Sequence, residues 1–138
     1  MEFLIEPYVG VGTIKLGMKQ KDIQEVLNEE PRRFKKFQDD EYETEAYEYF
    51  YVYYKNSGIC EAIEFFSPAK VILNGINLLE LPFKDIEEYF FKIDKDVEIE
   101  ETGLTSFKYG VGIYAPYALE EPLEKAEGVI VFEKGYYE

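Results

Sequence analysis

The sequence has no histidine, no tryptophan and a single cysteine among its 138 residues. Without histidine, the chain has no serine–histidine–aspartate triad, no histidine general base and no histidine metal ligand. A single cysteine excludes an internal disulfide and suits a reducing compartment. We interpret Cys60 as a small buried hydrophobe on a strand.

Long apolar segments are also missing. No run approaches the roughly 18–20 residues that a membrane-spanning helix needs. The opening segment, MEFLIEPYVG, lacks the basic residues and the long apolar core of a secretory signal. Together these absences predict a cytoplasmic protein that does not bind membranes.

Basic residues are scarce. Lys and Arg number 15 against 29 Asp and Glu, so the net charge is −14. Because phosphate contacts need clustered Lys and Arg, this balance argues against nucleic-acid binding. It permits a basic partner protein, and it also permits the simpler interpretation that acid keeps a tyrosine-rich chain in solution. The one basic cluster, Arg32, Arg33, Lys35 and Lys36, is interpreted as balancing nearby acid, with anion binding as the alternative.

The common ligand-binding motifs are absent as well. Gly10-Val11-Gly12 lacks the rest of a dinucleotide fingerprint, and no P-loop occurs. Asp39-Asp40-Glu41 lacks the spacing and the glycine of an EF-hand loop, so we interpret it as a solvated acidic turn. We therefore expect no enzymatic activity, no cofactor and no metal. A glycosidase with paired carboxylates is the enzymatic alternative.

What the chain does contain is apolar and aromatic material, at 46% and 17% of the residues, which is enough for the core of one domain. One amphipathic stretch occurs twice, as LGMKQKDIQEVL in Leu16–Leu27 and as LELPFKDIEEYF in Leu79–Phe90. Each copy predicts a helix, followed by a short strand and two long strands. Chance similarity of two amphipathic helices is the alternative to a duplication.

The first copy also resembles a known family. Ile14-Lys15-Leu16-Gly17-Met18, followed by a helix with Asp22, Ile23, Val26 and Leu27, resembles the helix-opening motif of the β-lactamase-inhibitor-protein-like (BLIP-like) families, which the small outer-membrane-assembly lipoproteins share. The resemblance implies an α+β fold in which two tandem helix-plus-antiparallel-strand units form one curved sheet with helices on one face. The chain would be a single domain, 1–138, made of two repeats at about 14–66 and 79–132. In the inhibitor of this family, the concave face of the sheet grips a partner protein, so the resemblance implies binding through that face.

Alternation along the predicted strands separates the two sheet faces. In the predicted strand Leu104–Tyr114, one face carries Phe107, Tyr109, Val111 and Ile113 and is expected to be buried. The opposite face carries Gly110, Gly112 and Tyr114.

In the predicted strand Tyr42–Tyr54, Phe50 and Val52 share one face. The other face carries Glu41, Glu43, Glu45, Tyr47, Tyr49, Tyr51 and Tyr53. Because unpaired carboxylates are costly to bury, we expect this second face to be free of helices.

Tyrosine supplies a large contact area and a hydroxyl, so we predict a partner-binding surface made of Tyr47, Tyr49, Tyr51, Tyr53, Tyr114, Glu41, Glu43 and Glu45. A purely structural role, in which the tyrosines pair across strands, is the alternative. The predicted function is a non-enzymatic binding module, such as an immunity or inhibitor protein, that docks on a basic partner. A homodimerising structural module is the second interpretation.

Overall fold

The structure is a computed structural model that describes residues 2–137. Within this range the chain forms thirteen strands and two helices. The strands are β1 (Glu2–Glu6), β2 (Gly10–Val11), β3 (Ile14–Lys15), β4 (Arg32–Phe34), β5 (Thr44–Ala46), β6 (Phe50–Tyr54), β7 (Cys60–Phe66), β8 (Lys70–Leu73), β9 (Ile76–Asn77), β10 (Glu98–Glu100), β11 (Gly103–Ser106), β12 (Val111–Tyr114) and β13 (Gly128–Phe132). The helices are α1 (Gln20–Leu27) and α2 (Phe83–Ile93).

The larger sheet has eight strands in the order β10-β11-β12-β13-β7-β6-β5-β4. All of its neighbouring strands are antiparallel. β7 and β13 lie at its centre, where Phe66 pairs with Gly128 and Ala62 pairs with Phe132. This pairing joins the meander β4–β7 to the meander β10–β13, and it leaves β4 and β10 as the two edges.

The smaller sheet has five short strands in the order β3-β2-β1-β8-β9. β1 and β8 are parallel, with Phe3 opposite Val71. The predicted hairpin at Asn74-Gly75 is present between β8 and β9, and both residues have the positive φ of a type I′ turn, at 51° and 82°.

Both predicted helices are present. Ile23 of α1 is fully buried, and α1 ends where Asn28 takes a left-handed conformation and donates its N–H to the carbonyl of Gln24. α2 begins after Pro82 and buries Phe83, Ile86 and Phe90. Each helix thus contributes one apolar stripe to the core.

The main core lies between one face of the larger sheet and a layer made of the helices and the smaller sheet. The ring of Phe3 on β1 lies 5.5 Å from the ring of Phe50 on β6 and 4.9 Å from that of Phe65 on β7. These contacts fix the smaller sheet against the larger one. The other face of the larger sheet carries neither helix, and we call it the open face.

The expected α+β architecture, with tandem units forming one sheet, is therefore wrong. The described chain is a mostly β protein with two sheets, and its two helices are short. The second sheet was missed for two reasons. The sequence of residues 2–15 predicted only one short strand and a loop. The parallel pairing of β1 with β8 joins segments that are far apart in the sequence, so no local pattern indicates it.

Both predicted long strands are also wrong, because each is a hairpin. Residues 47–49 form a turn between β5 and β6, in which the Tyr47 N–H donates to the carbonyl of Phe50. Residues 107–110 form the turn between β11 and β12, where Gly110 has a φ of 66°. Val111 and Ile113 are buried as expected, but Phe107 is 45% exposed because it belongs to the turn.

Candidate binding face

Strand register defines the residues of the open face. Directly opposed residues on antiparallel strands point to the same side of a sheet. One row therefore crosses the open face through Glu98, Thr105, Gly112, Ile130, Glu64, Tyr51, Ala46 and Arg32. The adjacent row, which runs through Ser106, Val111, Val131, Ile63, Val52 and Glu45, faces the core.

Three of the predicted binding tyrosines lie on the open face, and two of them, Tyr51 and Tyr53, lie together on β6. Tyr51 is half-buried and makes edge-to-face contacts with Phe34 at 5.6 Å and Phe66 at 4.8 Å. Tyr53 is only 8% exposed, and its hydroxyl donates to Glu64 Oε1 at 2.5 Å. Packing therefore orders both rings, and Tyr51 keeps the larger accessible area.

The other predicted tyrosines are dispersed. Tyr114 on β12 is 49% exposed and lies on the open face, two strands away from β7. Tyr49 is 37% exposed in the turn between β5 and β6. The predicted position of Tyr47 on the binding surface is wrong. Tyr47 is buried on the core side of the sheet, where its ring stacks on Phe50 at 5.1 Å. The predicted continuous ladder is therefore broken at the turn.

The three predicted glutamates also separate. Glu41 and Glu43 are exposed in the segment before β5. The predicted position of Glu45 on the binding surface is also wrong. Glu45 lies in the core-facing row and is completely buried. A partner protein cannot reach the Glu45 side chain in this structure.

Glu45 is buried because four donors satisfy its carboxylate. Oε1 accepts hydrogen bonds from the hydroxyls of Tyr54 at 2.6 Å and Tyr47 at 3.2 Å. Oε2 accepts from Gln24 Nε2 at 2.7 Å and from Arg33 Nε at 3.3 Å. Burial and the adjacent Glu45 carboxylate raise the pKa of Tyr54 and of Tyr47, so both phenols stay protonated as donors. We predicted an exposed carboxylate at this position because the sequence does not show these four donors.

The C-terminal segment covers one end of the open face, an arrangement that was not predicted from the sequence. Tyr136 stacks on Phe132 at 5.9 Å, and Tyr137 meets Phe132 edge-to-face at 5.0 Å. Phe107 contacts the Tyr137 ring at 6.0 Å. Tyr8 also reaches this cluster, since its hydroxyl donates to the carbonyl of Phe107. The repeated aromatic residues near the chain end were the available signal.

A depression of about 360 Å³ lies on the open face beside this aromatic cluster. Its lining includes Tyr53, Glu64, Glu100, Gly112, Tyr114, Ile130, Tyr136, Tyr137 and Lys36. The depression exists in part because Gly112 has no side chain. A Cβ at this position would lie 2.8 Å from Cγ2 of Ile130. Carboxylates, phenols and an ammonium group therefore meet over a partly apolar floor.

The remaining chemistry-bearing groups are inert or dispersed. Burial raises the pKa of the Cys60 thiol to about 12, so it stays protonated at neutral pH. Over residues 2–137, no group of three or more Cys, Asp or Glu side chains is placed to hold a metal ion. Neither of the two helices found in that range is long and apolar enough to cross a bilayer.

The larger sheet thus presents one face with exposed tyrosine and carboxylate side chains and no helix above it. This geometry is compatible with binding through the face. The resemblance to the BLIP-like families stays a prediction, because the chain matches no protein-family model, no curated protein and no solved structure in the comparisons made.

Proposed function

We propose that the chain is a non-enzymatic protein-binding module that docks the open face of its larger sheet on a basic partner protein, as an immunity or inhibitor protein would. The observation that carries the proposal is the accessible aromatic and acidic surface of that face. Tyr114 is 49% and Tyr137 is 55% exposed, and Tyr51 is half-buried between them and the β4 edge. Tyrosine is enriched in protein interfaces because it buries a large area at a small entropic cost.

Charge favours a basic partner. The ion pairs among residues 2–137 engage the carboxylates of Glu6, Glu30, Glu45 and Glu133. Glu64, Glu98 and Glu100 on the open face are in none of these pairs. With a net charge of −14, these carboxylates would accelerate the encounter with a positively charged surface.

We further propose that the protein works in the cytoplasm. Its one thiol belongs to Cys60, which is completely buried on β7. A buried free thiol contributes apolar packing and needs no oxidising compartment.

Affinity capture with a matched control tests the binding proposal. The bait variants are Tyr114→Ser on the open face and Tyr117→Ser, which is 61% exposed in the segment after β12. We expect a basic protein from the source organism to be retained by wild type and by Tyr117→Ser and to be lost with Tyr114→Ser. The purified pair should then show a dissociation constant that rises steeply with salt. Equal retention by both variants would contradict the proposal.

A second candidate function, self-association, is favoured by the charges of the two sheet edges. β4 carries the exposed residues Arg32 and Arg33, whereas β10 carries the exposed residues Glu98 and Glu100. Edge strands have free N–H and C=O groups that can pair with another chain. Pairing of β4 with β10 of a second copy would be heterologous and would build head-to-tail chains.

Light scattering over a range of protein concentrations tests this candidate. Self-association predicts a mass that rises with concentration and falls with salt. The reversals Arg32→Glu and Glu98→Arg should each abolish the rise, and the double reversal should restore it. A constant monomer mass for the wild-type chain would exclude edge pairing.

A further inference from the structure

The depression on the open face has a defined shape. Its floor is formed by Gly112 on β12 and Ile130 on β13, which are directly opposed in the sheet. Glu64 follows on one side in the same row, and Thr105 follows on the other. The volume of about 360 Å³ is near the lower end of the range of small-molecule sites, roughly 300–1,000 Å³. It therefore suits a single extended side chain better than a large ligand.

Aromatic rings form much of the wall. Tyr53, Tyr114, Tyr136 and Tyr137 all line the depression. The faces of such rings carry negative electrostatic potential and attract cations within about 6 Å of the ring centroid. One such contact exists within the chain, because Lys36 Nζ lies 4.3 Å from the centroid of Tyr53. The ring of Tyr53 thus already contacts the chain's own ammonium group at Lys36, which leaves the rings of Tyr114, Tyr136 and Tyr137 for a cation from outside.

The two carboxylates strengthen the negative potential. Glu64 uses Oε1 to accept the hydrogen bond from Tyr53, and Glu100 is exposed at the β10 edge. Burial raises the pKa of Tyr137, and the charges of Glu100 and Glu64 raise it further. Burial likewise raises the pKa of Tyr136, and the charges of Glu61 and Glu64 add to the effect. The carboxylate charges that oppose a phenolate at these positions would stabilise a cation there.

We propose that the depression is a recognition site for one lysine or arginine side chain of the partner protein, held by Glu64 and Glu100 and by the surrounding tyrosine rings. This inference deepens the proposed function and rests on it. The apolar stem of the side chain would lie over Ile130 and Gly112, and its charged end would reach a carboxylate. Lys36 lines the same depression and would oppose a second cation.

NMR titration of the ¹⁵N-labelled full chain with Nα-acetyl-arginine methylamide tests the site directly. We expect saturable shifts centred on the amides of Thr105, Gly112 and Ile130. Nα-acetyl-lysine methylamide should shift the same amides. The citrulline analogue, which has nearly the same shape but no charge, should leave them unchanged. Equal shifts with arginine and citrulline would overturn the proposal.

Matched variants separate charge recognition from non-specific binding. Glu64→Gln keeps an acceptor for Tyr53, and we expect it to weaken arginine binding by about two- to tenfold. Glu88→Gln, on the exposed surface of α2, is its control and should have no effect. Lys36→Gln should strengthen binding by a similar factor, whereas Lys35→Gln, exposed and outside the depression, should not. No weakening in Glu64→Gln would also overturn the proposal.

The shape of the floor provides an independent variant. Gly112→Val fills the depression and leaves all of its charges in place, so it should abolish the arginine-induced shifts. Thermal unfolding of Gly112→Val checks that the sheet remains folded, since Ile130 must move to accept the new side chain. A folded Gly112→Val chain that still binds arginine would locate the cation elsewhere.

The outcomes distinguish this inference from the broader proposal. If a partner is captured through Tyr114 but arginine does not bind in the depression, the binding-module proposal is supported and the cation site is excluded. If arginine binds at Gly112 but no protein partner depends on Tyr114, the cation site is supported and the binding-module proposal is excluded.

Discussion

At the scale of single residues, Glu45 connects three parts of the fold. Its carboxylate on β5 accepts hydrogen bonds from Gln24 on α1, Arg33 on β4 and Tyr54 on β6. A buried carboxylate is costly unless its oxygens are paired and hydrogen-bonded, and here both are. The residue that local alternation placed on a binding surface is therefore a structural centre.

The substitution Glu45→Ala should destabilise the protein by about 3 kcal/mol, because it leaves the hydroxyls of Tyr47 and Tyr54 buried without an acceptor. Urea unfolding followed by circular dichroism measures this loss. Glu43→Ala removes an exposed carboxylate two residues earlier and should change the free energy of unfolding by less than about 0.5 kcal/mol. Equal effects of the two substitutions would mean that the network contributes nothing to stability.

At the scale of elements, turns decide which side chains reach the open face. The turn at residues 47–49 ends β5 and separates Tyr47 from Tyr51 and Tyr53. The turn at residues 107–110 contains Gly110, whose left-handed φ of 66° is adopted most easily by glycine. A Cβ on Gly110 would also lie 2.9 Å from Cε1 of Tyr8 and 3.1 Å from the carbonyl oxygen of Phe132.

A pair of glycine substitutions separates backbone strain from close packing. Gly12 has a φ of 59° and open space around its Cβ position, so Gly12→Ala should cost about 1 kcal/mol through the left-handed conformation alone. Gly110→Ala should cost about 2 kcal/mol more, because the new methyl group overpacks against Tyr8 and Phe132. Thermal unfolding of both variants gives the difference. Similar melting temperatures would contradict the close approach at Gly110.

At the scale of the whole molecule, buried and half-buried tyrosines lie on both sides of the larger sheet. Tyr47 and Tyr54 lie in the main core, whereas Tyr53 and Tyr136 lie on the open-face side. Burial raises the pKa of all four phenols above the ordinary value of 10.0. In the unfolded chain these phenols would ionise near that ordinary value.

Stability should therefore fall at alkaline pH. A raised folded-state pKa means that the tyrosines contribute their full stabilisation below about pH 10, and that this stabilisation is lost as pH rises above 10, where the unfolded chain has fewer bound protons than the folded chain. We expect a midpoint of urea unfolding that is flat near neutral pH and declines above pH 10. Absorbance at 295 nm should show these phenols ionising together with the loss of circular dichroism. Gradual ionisation of every tyrosine in the folded chain would contradict the prediction.

Several features followed from local sequence alone. The amphipathic periods located α1 and α2, the Asn74-Gly75 pair predicted a tight hairpin, and the absence of histidine excluded its chemistry. The alternation of Phe50 and Val52 with Tyr51 and Tyr53 separated the core face from the open face over β6. These features depend on neighbouring residues and on backbone geometry, which a sequence displays directly.

Only the tertiary structure decided the rest. The second sheet requires β1 to pair with β8, and the burial of Glu45 requires donors from α1, β4 and β6. The aromatic cover on the open face requires Tyr136 and Tyr137 to fold back on Phe132, and the depression requires β7, β10, β12 and β13 to lie in one sheet. Apart from the contacts of Tyr136 and Tyr137, these contacts join residues from separate elements, so their free energy depends on packing that local propensity and alternation do not encode.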